Sequence, residues 1–209
     1  MGMTPQFRVL KKRIKELRKH FLPKKPDLAG DYSDRRLDYA RAYLVLAHAE
    51  VEHYFEDVAK GIAIKYFGEW KSHRKCSSVI LSLVACYKYN WDIQCDSESL
   101  KGQSSKKFDD AVFDLIDDAS RQFIGKIQKN NGVKADNIKD LVIPIGIPLD
   151  SLDSVWLNDM DAFGSRRGDV VHKASGVQGA IDPFSEKAKI ESILLKIQDL
   201  DERFYALLN

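Results

Sequence analysis

"LDYARAYLVLAHAEVEHYFEDVAKGI", residues 37–62, carries the strongest architectural signal in the chain. Apolar or small side chains recur at Leu37, Ala40, Leu44, Ala47, Val51, Tyr54, Val58 and Ile62, in alternating steps of three and four. An α-helix turns through about 100° per residue, so this spacing draws one unbroken apolar stripe along one face. The stripe predicts a long central helix packed inside a bundle. Ser33 is its expected N-cap, and Gly68 its expected end. Ala40 and Ala47 leave room for a close neighbour.

The flanking sequence has the same period. Thr4 and Pro5 cap and open a first helix carrying Phe7, Leu10, Ile14, Leu17 and Phe21, which Pro23 and Pro26 stop. Its other face, "KKRIKELRK" (11–19), is basic, and is read as a solvated face, with contact to an RNA backbone or a partner as the alternative. A third helix is expected over 70–89, around Val79, Ile80, Leu83, Val84 and Tyr87. The stretch "NWDIQCDSESLKGQSS" (90–105) reads as a loop. Ser105 caps a fourth helix with Phe108, Val112, Leu115, Ala119, Phe123 and Ile127, and "KNNGVK" (129–134) ends it, because Asn and Gly tolerate the left-handed conformation. A short helix and a Pro- and Gly-broken connector fill 136–150. A further helix runs from Ser151 or Ser154 to Ala174, and a last one from near Ser185 carries Ile193, Ile197, Leu200, Phe204 and Leu207. Strand-like alternation with hairpin turns is missing, so the fold class is all-α.

Composition narrows the function. The 209 residues carry a net charge of +2, so any affinity for nucleic acid must come from a local patch. Cys76, Cys86 and Cys95 are widely spaced and form no ligand pattern, which fits thiols in a reducing compartment. The N-terminus has no apolar stretch of signal-peptide length, and "SSVILSLVACY" is too short to span a bilayer. A cytoplasmic protein without membrane contact is expected. Trp70, Trp91, Trp156, Tyr87 and Tyr89 read as core or loop anchors before base-stacking groups.

Two constellations carry chemistry. In "RRGDVVHKAS" (166–175), Asp169 and His172 share a helix face at i and i+3, so the carboxylate is able to fix the imidazole tautomer. Arg167 lies about 140° round the helix from His172, within reach of a long arm, and Arg166 sits on the other flank. An imidazole can move the proton of a ribose 2′-OH or of a leaving oxygen, and a guanidinium can hold two phosphoryl oxygens. Taken on spacing alone, the stretch reads first as a charged helix end that attracts cations. The second constellation, Glu50 and His53, is half of a bundle di-iron pattern, but its partner ligands are missing, so no metal is assigned.

The first stretch resembles the signature of the HEPN superfamily, an arginine followed four to six residues later by a histidine on a late helix. Arg167-x4-His172 fits it. The stretch "LVLAHAEVEHYFEDVAKGI" is similar to the long early helix of the RiboL-PSP and MAE_28990-like branches, and "NNGVKADNIKDLVIPIGI" with "LDSVWLNDMDAFGSRRGDVVHKAS" resembles their late half. The likeness covers residues 33–205, leaving 1–26 as an N-terminal helical extension of one 209-residue domain. It implies a bundle that forms a homodimer through the signature helices and a metal-independent, cofactor-free endoribonuclease of prokaryotic toxin or antiphage systems, under possible control by a partner protein. Carried over, His172 is the acid–base group, Arg167 the phosphate clamp and Asp169 a supporting polar residue. Arg166 and Lys173 would bind substrate RNA, and His48 or Glu52 would border the cleft. Gly168 departs from the polar residue usual after the arginine. That departure favours the alternative, a non-catalytic HEPN module that binds RNA or a partner.

Overall fold

The computed structural model describes residues 2–27, 30–87, 105–173 and 180–209; of 105–110 only the backbone is described. Within these residues the chain forms seven α-helices: α1 (Pro5–Phe21), α2 (Asp34–His73), α3 (Ser78–Cys86), α4 (Ser105–Gln128), α5 (Ala135–Val142), α6 (Ser154–His172) and α7 (Pro183–Leu208). A 3-10 turn, Leu149–Ser151, precedes α6. The architecture is all-α, and no strand occurs among the described residues. Among these helices, none is long and apolar enough to cross a membrane.

The long helix is the axis of the molecule. α2 has 40 residues and touches each of the other helices. Its stripe is buried as the spacing requires: Ala40, Leu44, Ala47, Val51, Tyr54, Val58 and Ile62 all lie in the core. Complete burial of a Val or Ile side chain contributes about 2 kcal/mol, so this stripe is a main source of bundle stability. α1 is not peripheral to that core. Its Phe7, Leu10, Ile14 and Leu17 belong to the same buried cluster, against α2 and α7.

Local signals explain most helix ends. The Thr4 side chain accepts from the Phe7 N–H, and Pro5 stands at the first helical position of α1. Ser33 sits at the start of α2 but makes no side-chain cap. Gly68 does not end α2; the helix continues to His73 and stops where Arg74 adopts a left-handed conformation at φ 53°. The Arg74 guanidinium lies over the Trp70 and Phe113 rings, 5.7 and 5.0 Å from their centroids, which offsets the cost of positive φ. The expected helix over 70–89 is therefore two pieces, the last turn of α2 and the shorter α3, whose cap is Ser77. α6 begins at Ser154, one of its two expected starts, and Asp153 caps it, accepting from the Val155 and Trp156 N–H groups. Asp182 caps α7, which begins at Pro183 instead of Ser185. The loop assigned to 90–105, apart from the helical Ser105, lies outside the described residues, as do Tyr89, Trp91, Cys95 and Ala174.

Candidate functional site

α6 delivers the arginine–histidine segment to one end of the bundle. Trp156, Leu157, Met160 and Phe163 bury its inner face, which fixes the rotation of the helix about its axis. That rotation separates the two arginines. Arg166 turns towards α7, where its Nε is 3.4 Å from Glu186 Oε2. Glu186 is only 3% exposed and is also met by Lys189 Nζ at 2.7 Å. Arg166 thus serves as a counter-charge to a buried carboxylate, and such charges need partners.

Arg167 turns the other way, towards α2. Among the described residues it makes no hydrogen bond or ion pair of its own. Its charge is nevertheless felt by two α2 side chains. His48 is 2% exposed, with its ring 5.3 Å from that of Phe163. Burial, and secondarily the Arg167 charge, push its pKa down to about 4. Glu52 is raised by burial and by neighbouring Glu56, while the Gly132 N–H and Arg167 pull it back. His48 Nδ1 lies 3.6 Å from Glu52 Oε2 without a hydrogen bond. A neutral imidazole and a partly desolvated carboxyl therefore flank the guanidinium, which keeps its donors open to an anion.

The turn after α4 closes this corner. Asn130 Nδ2 donates to Glu56 Oε1 at 2.8 Å and to the Gly132 carbonyl at 3.0 Å, and Asn137 Nδ2 donates to Asn130 Oδ1 at 3.1 Å. Gly132 has φ 135°, which favours glycine. Asn130 and Gly132 read from sequence as a helix stop only. Their role beside Glu52 and Glu56 needs the tertiary fold, although the Asn-Asn-Gly run was the visible signal.

His172 is the last residue of α6 and is exposed. Asp169 does not hydrogen-bond to it; the carboxylate instead lies 2.7 Å from Lys173 Nζ, an exposed pair of small energetic weight. The fold thus joins Arg167 with His48 and Glu52, joins Asp169 with Lys173, and takes Arg166 away into the α6–α7 seam. Glu50 meets Arg13 at 3.1 Å, and His53 is exposed. Among the described residues no group of three or more His, Cys, Asp or Glu is placed to hold a metal.

No curated protein and no solved structure matches the chain. A family comparison does. Residues 8–206 match the profile described as RiboL-PSP-HEPN, from within α1 almost to the end of α7. With nearly the whole chain covered, including the early long helix and the late helix bearing Arg167 and His172, this protein belongs to the RiboL-PSP-HEPN family.

Proposed function

We propose that the protein is a metal-independent endoribonuclease of a prokaryotic toxin or antiphage system. It acts as a homodimer in which Arg167 and His172 from two copies share one groove, and a partner protein of the same system regulates it. One observation carries this reading. Within a chain of RiboL-PSP-HEPN type, the arginine at signature spacing keeps its guanidinium unpaired among the described residues, while its neighbour Arg166 is consumed by Glu186. The outward face of α6 supports the dimer: Val155, Asn158, Ala162, Ser165, Asp169 and His172 form an exposed stripe whose middle residues are small.

The chemistry follows from the side chains. One His172 imidazole accepts the ribose 2′-OH proton. The 2′-oxygen forms a bond to phosphorus, the bond to the 5′-oxygen breaks, and the imidazolium of the other copy protonates that leaving oxygen. The Arg167 guanidinium pairs with the non-bridging oxygens and stabilises their added charge. The products are a 2′,3′-cyclic phosphate and a 5′-hydroxyl.

RNA cleavage in excess EDTA tests the proposal. His172→Ala and Arg167→Ala proteins with unaltered thermal melting are expected to lose at least ~100-fold in rate. Undiminished cleavage by either variant removes that residue's role. The alternative reading, a non-catalytic module that binds RNA or a partner, draws on Gly168, which stands where a polar residue usually supports the arginine. Growth arrest on expression in a bacterial host that disappears with His172→Ala fits only the enzyme.

A further inference from the structure

A second cationic feature lies at the same end of the bundle, apart from Arg167 and His172. Where α1 ends before Pro23, the chain crosses the start of α7 and leaves a cavity of about 270 Å³. Arg18, Lys19 and Lys24 wall it from the α1 side and Lys187 from α7, with the Phe184 ring and Leu22 among its apolar lining. None of the described residues lining it is acidic. Glu191 partly offsets two of the cations, at 3.2 Å from Arg18 and 3.9 Å from Lys187. Lys19 and Lys24 have no ion pair among the described residues.

Helix stability does not explain the whole cluster. Arg18 and Lys19 suit the negative C-terminal end of α1. Lys187 stands one turn into α7, far from the negative helix end that would attract a cation. The carboxylates nearby are otherwise engaged: Asp182 accepts the Ser185 N–H at 2.6 Å, and Glu186 holds Arg166 and Lys189. Like charges gathered round a partly apolar hollow repel each other until an anion enters. Arg166 of α6 meets Glu186, the residue before Lys187 on α7, so the hollow and the signature segment both border the start of α7.

We propose that this cavity is a nucleotide subsite for the RNA strand, in which Lys19, Lys24 and Lys187 hold one of its phosphates and the Phe184 ring stacks on a base. Cations track the backbone and an aromatic face accepts any base, so the subsite adds affinity without strict sequence choice. The inference rests on the ribonuclease reading and names a second contact for the same substrate.

The test is equilibrium binding of a labelled single-stranded oligoribonucleotide to the full-length His172→Ala protein, in EDTA and over a range of salt. The cavity variant combines Lys19→Glu, Lys24→Glu and Lys187→Glu. The control, Lys15→Glu, Lys60→Glu and Lys129→Glu, changes net charge equally at exposed positions outside the cavity. Affinity is expected to fall about tenfold more in the cavity variant, with the salt slope reduced by about 0.7 for each phosphate that no longer meets a cation. Phe184→Ala is expected to weaken binding about tenfold at unchanged slope. Equal losses in both triple variants overturn the subsite, as does a His172→Ala protein that does not bind the strand. Adenosine monophosphate binding that the cavity variant abolishes, with oligoribonucleotide affinity untouched, overturns the strand assignment. The outcomes separate the two proposals. A protein that never cleaves, yet binds RNA through these lysines, sinks the nuclease reading alone. His172-dependent cleavage with RNA binding indifferent to them sinks the subsite alone.

Discussion

His48 shows how one residue couples the proposed site to stability. Its imidazole titrates at about 4 in the fold against an ordinary value near 6.5, so the folded state favours the neutral form. The stability this contributes is complete above pH 6.5 and is lost as pH falls from 6.5 through 4. The loss over that window is on the order of 3 kcal/mol. Denaturant melts between pH 7 and pH 4 are expected to show this acid limb, and His48→Leu to flatten it. Arg167→Ala removes the smaller of the two causes, so the His48 pKa should rise yet stay below 6.5. Imidazole NMR titration of both proteins reads the shift, and identical values would mean that the guanidinium does not face α2 in solution. Neither effect was visible in the sequence. His48 lies within the α2 stretch as one polar residue among several, and only the crossing of α6 over α2 sets Phe163 and Arg167 against it.

At the scale of the element, α6 combines a buried face that is read easily with an end that is not. Its apolar spacing, its approximate length and the arginine–histidine pair were all legible, because helical periodicity is a local property. The division of labour between Arg166 and Arg167 was not, since it depends on which helix each flank meets. Gly168 gives an element-scale test. A Cβ built there meets no atom within 4 Å, and its φ is not positive, so the glycine is required neither by packing nor by backbone within one copy. Gly168→Ala is expected to stabilise the helix by about 0.5–1 kcal/mol, read as a higher melting temperature. Lost RNA cleavage in that more stable protein would show that the open space serves a second copy or the RNA. Asp161 makes a related point. Its Oδ1 accepts the Ala135 N–H at 2.8 Å, so a side chain of α6 caps α5 in place of Lys134, which cannot.

Across the whole molecule, one buried carboxyl ties the two ends of the chain to the axis. Asp201 of α7 is fully buried and accepts from the Thr4 N–H at 2.9 Å, from the Thr4 hydroxyl and from the Tyr54 hydroxyl at 2.7 Å. The Thr4 oxygen also accepts from the Phe7 N–H, so one hydroxyl caps α1 and anchors it to α7. Asp201→Ala leaves three buried donors without an acceptor and is expected to cost about 3 kcal/mol. For a chain of this size that lowers the melting temperature by roughly 6–12 °C in calorimetry. Asp201→Asn keeps the volume but points an amide at donors, and should recover only part of the loss. A change within a degree of wild type would show that water replaces the carboxyl.

The helical class, the long axis, most of the core stripe and the segment that carries Arg167 and His172 can all be read from the order of residues. Each of these follows from the period of one helix or from the identity of neighbours along the chain. The tertiary structure alone decided that Gly68 is passed over and that the N-terminal helix is part of the core. It also decided that Arg166 is spent on Glu186 while Arg167 stays open beside His48 and Glu52. These outcomes depend on which surfaces of distant helices meet, and burial and charge pairing between them are not encoded in any local spacing.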